Sequence, residues 1–118
     1  MTSQHKFENA ADMTVTKRPM TGHPGAFIRE TLLPEYGLTV KGAAESMGIE
    51  RRGLINVLDG KSAVSRDLAY KLGALLNDQV ADLLIEWQLK WDLEREQDLR
   101  ATYREKIQRV APRAEANA

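Results

Sequence analysis

The chain has 118 residues, 17 basic against 17 acidic side chains, no cysteine and 42% hydrophobic content. That is enough for one compact domain, without disulfides, cysteine-ligated metal or a global positive field to attract a polyanion. No apolar run approaches a membrane span, and the polar opening MTSQHKFENAADMTVTKRPM lacks the apolar centre of a secretion signal, so a cytoplasmic protein with no membrane contact is expected.

Residues 1–20 mix small and polar side chains without a period and read as a flexible arm. A first helix is expected from about Gly25 to Leu33, with Phe27, Ile28 and Leu32 at helical spacing, closed by Pro34 and Gly37. Next comes TVKGAAESMGIERRGLINVLDG, residues 39–60, with the pattern of two short helices around a tight turn. Ala43, Ala44 and Met47 share one face of the first; Ile49, Leu54, Val57 and Leu58 give the second its buried face. Thr39 suits the first N-cap, Gly48 the left-handed turn and Gly60 the exit. Ser65 then caps a helix running to about Leu76, in which Gly73 reads as a weak spot.

A helix-turn-helix points to DNA. Its second helix leaves Glu50, Arg51, Arg52, Ile55, Asn56 and Asp59 exposed, with bare backbone at Gly53. Arg51 or Arg52 can pair with guanine O6 and N7 or hold a phosphate, Asn56 can read adenine, Ile55 can touch a thymine methyl, and Glu50 can accept from cytosine. Thr39, Lys41, Lys61 and Ser62 flank this face at positions suited to phosphate contacts. Any helical bundle, however, has turns and a charged outer face. Residues 39–77 hold six basic side chains against four acidic ones, a small excess, so a dimer that doubles the contacts is the natural route to affinity.

A single long helical pattern begins near Asn77 or Asp78. Val80, Leu83, Leu84, Trp87 and Trp91 form one stripe, and Ile85, Leu89 and Leu93 a second on another side. A small domain covers only one, so the other is expected to meet a second copy; Ile85, Trp87, Leu89 and Trp91 are the interface candidates. For either tryptophan alone, a place in the core is the competing reading. Beyond Leu93 the pattern turns charged, with Glu96 and Arg100, then Glu105 and Arg109, at ion-pair spacing around a thin stripe of Leu99, Tyr103, Ile107 and Val110. That stripe suits a second chain, a partner protein or a solvated helix with a loose end, and Pro112 stops it. Residues 21–93 thus make the domain, and 94–118 a charged helical extension and tail.

Catalysis finds no support. His5 and His23 lie far apart without ligand spacing, His23 reading as a packing or capping residue; no nucleophile motif or phosphate loop is present. No cofactor or metal is expected, and the carboxylates of the amphipathic helices are explained by solvation or ion pairing.

HPGAFIRETLLPEYGLTV at 23–40, the helix-turn-helix, DGK at 59–61 and QLKWDL at 88–93 together resemble the HigA antitoxins of type II toxin-antitoxin systems, among the Xre/Cro-like helix-turn-helix proteins. The likeness covers about residues 23–93. It implies an all-α fold: a five-helix Xre/lambda-repressor-like DNA-binding domain, here with an extended C-terminal helix. It also implies a homodimer that represses its own operon at palindromic operator DNA and neutralises a HigB/RelE-like, mRNA-cleaving toxin. By that resemblance Arg51, Arg52, Ile55 and Asn56 fall at recognition positions, and Gln88, Trp91, Asp92 and Leu93 match the terminal-helix signature. Trp91 stands where tyrosine is common. Glu50, Gly53 and Asp59 also depart from the pattern: the two acids repel phosphate, and Gly53 costs roughly 1 kcal/mol of helix propensity against alanine. The alternatives are a stand-alone Xre-family regulator and an interaction protein whose helix-turn-helix is only scaffold.

Overall fold

The computed structural model describes residues 20–113, all of them helical or loop. Three consecutive segments, Gly25–Phe27, Ile28–Leu32 and Leu33–Glu35, run on as one helix, α1. Then follow α2 (Val40–Met47), α3 (Arg51–Leu58), α4 (Arg66–Leu75), α5 (Asp78–Arg95) and α6 (Gln97–Lys106). The all-α expectation holds, with six helices among the described residues. The arm lies outside the described residues except for Met20, which packs against the core.

Pro34 does not end α1. The turn before it, Ile28–Leu32, is widened to π-helical form, and Leu33 N–H reaches back to the Ile28 carbonyl, making room for a ring with no N–H to donate. α1 runs to Glu35, two residues beyond the expected Leu33 end, and the chain then leaves through Gly37 at φ 68°, the glycine expected to close it. Three caps fall where hydroxyl and amide side chains permit them. Thr39 Oγ1 accepts from Gly42 N–H at 3.0 Å, Ser65 Oγ from Leu68 N–H at 3.1 Å and Asn77 Oδ1 from Val80 N–H at 3.2 Å.

One core holds the helices together: Ile28, Leu32 and Leu33 of α1, Ala43 and Ala44 of α2, Leu54 and Leu58 of α3, Leu72 of α4, and Leu84 and Trp87 of α5 are all buried. Gly73 is not a weak spot but a contact. A β-carbon there would sit 2.9 Å from the Ala81 Cβ, so the missing side chain is what lets α4 and α5 touch.

The single C-terminal helix expected from the periodicity is two. Glu96, at φ −99° and ψ 15°, interrupts it, and the Leu93 carbonyl accepts from the Gln97 side-chain amide at 3.0 Å. Ile107 at φ −112° and ψ 125° ends α6, so Val110 is not on its stripe and Glu105 and Arg109 share no helical face. Among the described residues neither Glu96–Arg100 nor Glu105–Arg109 forms an ion pair; the pairs that form are Arg29–Asp59, Asp67–Lys71 and Lys90–Glu94.

Candidate nucleic-acid interface

The two helices of the turn meet as their sequence requires. Gly48 takes φ 69°, its N–H and that of Ile49 close on the carbonyls of Glu45 and Ala44, and Ala43 and Ala44 are small enough for α2 to lie close to the core. The polar face of α3 is thereby turned outward. Arg51, Arg52 and Gly53 are exposed, whereas Ile55 and Asn56 are half-buried, closer to the body than the sequence suggested. Glu50 is the N-cap residue but its carboxylate makes no capping bond, so it stands exposed at the positive end of α3. Thr39, Lys41, Lys61 and Ser62 are all exposed around it.

The loop after α3 is anchored twice. From within, the Asn56 carbonyl accepts from the N–H groups of Lys61, at 2.8 Å, and Ser62, at 3.2 Å. From outside, the His-Pro-Gly segment holds it. His23 Nε2 donates to the Ser62 carbonyl at 3.0 Å while Nδ1 accepts from Gly25 N–H at 2.9 Å, an arrangement that calls for the tautomer with its proton on Nε2. Pro24 is buried, and Gly25 lies so close to α3 that a β-carbon would sit 2.2 Å from the Val57 carbonyl oxygen. Arg29 completes the clamp with a 2.6 Å ion pair to Asp59. Asp59, an unfavourable acid in the sequence, thus has its charge answered from α1.

The sequence marks His23 as a packing or capping residue and includes Arg29 in the segment that carries the family resemblance, but gives Arg29 no partner. The grouping HPG was visible; its partners 30 or more positions away were not, because no local period links α1 to the loop after α3.

On α5, the interface candidates divide. Trp87 is corrected to the core: it is 4% exposed, lies against Phe27 at 5.1 Å between ring centroids, and donates its indole N–H to the Gly22 carbonyl at 2.8 Å. No face of it is left for a second chain. Trp91 is half-buried, edge-on to the His23 ring at 5.9 Å with the Arg95 guanidinium 5.3 Å above it. Ile85 is half-buried and packs against the core, whereas Leu89 is 55% exposed and Leu93 42% exposed, so that end of the second apolar stripe has no cover among the described residues. Gln88, buried between the stripes, accepts from Val64 N–H at 2.8 Å and donates to Asp92 at 2.9 Å, tying the α3–α4 loop to α5. Among the described residues no cluster of three or more histidine or acidic side chains could hold a metal, and no helix is long and apolar enough to cross a membrane.

What this geometry defines is an all-α domain with a helix-turn-helix at its outer edge. No protein-family model matches the chain. Among solved structures the fold is similar to that of antitoxin GraA, 28% identical, with a TM-score of 0.64 over 75% of this chain and 96% of that one. It is also similar in fold to PA4674 from Pseudomonas aeruginosa, solved in complex with its operator DNA: 20% identical, TM-score 0.63, covering 75% of this chain and 98% of that one. Among curated proteins, virulence-associated protein A' of Dichelobacter nodosus is 28% identical over 71 residues, which span 60% of this chain and 61% of that protein.

Proposed function

We propose that this protein is a DNA-binding antitoxin that represses its own operon as a homodimer and neutralises a HigB/RelE-like mRNA-cleaving toxin, acting in the cytoplasm as a regulator and not an enzyme. The observation that carries the DNA half is the exposed Arg51, Arg52 and Gly53 surface of a recognition helix whose flanking loop is clamped by α1. Likeness to antitoxin GraA supports the toxin half.

In this reading Arg51 and Arg52 reach base edges or phosphates from the major groove, and Asn56 and Ile55 contribute at closer approach. Thr39, Lys41, Lys61 and Ser62 fix the register on the backbone, and the bare Gly53 lets the phosphodiester chain come near. Residues 21–93 form the binding domain and 94–118 the extension. Ile85, Leu89 and Trp91 supply the contact between copies, which sets two recognition helices about one DNA turn apart, roughly 34 Å, on a palindrome.

The test is an anisotropy titration of the full chain against its own upstream DNA and against a scrambled duplex at two salt concentrations. Tight, salt-dependent binding confined to the upstream duplex is expected. Arg51→Ala with Arg52→Ala should abolish that selectivity while sedimentation still shows a dimer. Equal and weak binding to both duplexes would reduce the helix-turn-helix to scaffold.

A further inference from the structure

The extension is charged unevenly. From Gln97 to Arg113 it carries Arg100, Arg104, Lys106, Arg109 and Arg113 against Asp98 and Glu105, in a chain that is neutral overall. Within it α6 buries no residue and has no tertiary cover among the described residues, and a ten-residue helix by itself is marginal in water. Its apolar residues lie together on one side: Leu99 is 51% exposed, Tyr103 53% and Ile107 64%. At helical spacing Arg100 and Arg104 run along one edge of that stripe and Lys106 along the other, with Asp98 and Glu105 on the far side. Arg100, Tyr103, Arg104, Ile107 and Arg109 line a shallow open hollow of about 570 Å³. None of the three arginines has an ion-pair partner among the described residues.

We propose that this face of α6, together with Ile107 and Arg109 of the segment that follows it, is a docking surface for an acidic amphipathic helix of a second protein, with an apolar stripe covering Leu99, Tyr103 and Ile107 and carboxylates meeting Arg100, Arg104 and Arg109. Charge complementarity selects that occupant. A second copy of α6 does not fit: antiparallel pairing sets Arg100 and Arg104 against their own counterparts, and parallel pairing sets them against Lys106. Nucleic acid would satisfy the arginines, and an unpaired base could stack on Tyr103, but it offers no aliphatic surface to cover Leu99 and Ile107. A surface that holds RNA is itself basic, so this face does not match the catalytic groove of an mRNA-cleaving toxin, and the proposal stands apart from the antitoxin reading.

Two synthetic helical peptides with one leucine stripe, edged by glutamate in the first and lysine in the second, are titrated into the full-length protein. The glutamate peptide should bind at least about tenfold more tightly than the lysine peptide, a difference of about 1.4 kcal/mol, and more weakly as salt rises. Arg100→Glu with Arg104→Glu should reverse the preference, and Leu99→Ser with Tyr103→Ser should weaken both peptides at least about tenfold. These positions are exposed, so an unchanged melting curve confirms that each variant is folded. Equal affinity for the two peptides, or an unaltered preference after charge reversal, overturns the proposal. So does a random-sequence DNA duplex that displaces the glutamate peptide and is itself lost on charge reversal, which assigns the face to nucleic acid. Loss of a dimer in sedimentation of the Leu99→Ser, Tyr103→Ser chain would assign it to a second copy.

Discussion

Around Gly25 the chain is packed so tightly that a single β-carbon would lie 2.2 Å from a backbone oxygen of α3, whereas the ten residues of α6 bury no side chain at all. The first region is held by its own contacts, which fix α3 and the loop after it. The second keeps its apolar and basic groups in solvent, where they add little to stability and stay open to a partner. Substitutions that treat the two regions alike in chemistry should therefore differ sharply in effect.

The largest contrast is between leucines. Leu84 is fully buried against the other helices, and Leu84→Ala should cost about 3 to 4 kcal/mol through lost transfer energy and the cavity left behind. Leu99→Ala, at a residue 51% exposed, should change stability by less than about 0.5 kcal/mol. Urea denaturation of both variants checks this, and a comparable loss at Leu99 would mean that α6 is packed in solution. Next come the glycines. Gly25→Ala should cost about 3 kcal/mol because only backbone atoms are there to yield, whereas Gly53→Ala, with nothing within 4 Å, should stabilise the chain by about 0.5 to 1 kcal/mol. Thermal melts that moved in the same direction would break the contrast.

Gln88→Ala should fall between these and the surface changes, at about 2 kcal/mol, because it strands the N–H of buried Val64 and removes the partner of Asp92. Hydrogen exchange should locate the loss in the α3–α4 loop rather than throughout the domain.

Much of this division was legible in the sequence, for a physical reason. Caps at Thr39 and Ser65 and the turn at Gly48 are local devices, set by residues a few positions apart, and they fall where the pattern placed them. The apolar period likewise separates buried Leu54, Val57 and Leu58 from exposed Arg51, Arg52 and Gly53, while Ile55 and Asn56, expected on the outer face, are half-buried. What the pattern misjudged were contacts between distant segments. Gly73 reads as a helix defect, yet Ala81 lies against it; Trp87 reads as core or as an anchor for another chain, and Gly22 and Phe27 around it put it in the core. Pro34 was read as a stop because a widened turn leaves no mark on spacing.

The smallest stability effect concerns the clamp itself and has the most to say about DNA. Arg29 and Asp59 are 41% and 32% exposed, so Arg29→Ala should alter stability by less than about 1 kcal/mol. It should still weaken operator binding at low salt, by up to about tenfold, because the freed Asp59 carboxylate then stands beside Lys61 and Ser62 facing phosphate. Asp59→Ala alone removes that charge and should bind at least as well as the parent chain. Combining the two separates a positioning role from a direct one. If Arg29 acts by neutralising Asp59, the double variant recovers the affinity that Arg29→Ala lost; if Arg29 touches phosphate itself, the double variant stays weak and its salt slope falls by about one. Recovery would make α1 part of the DNA-binding machinery through the charge it cancels.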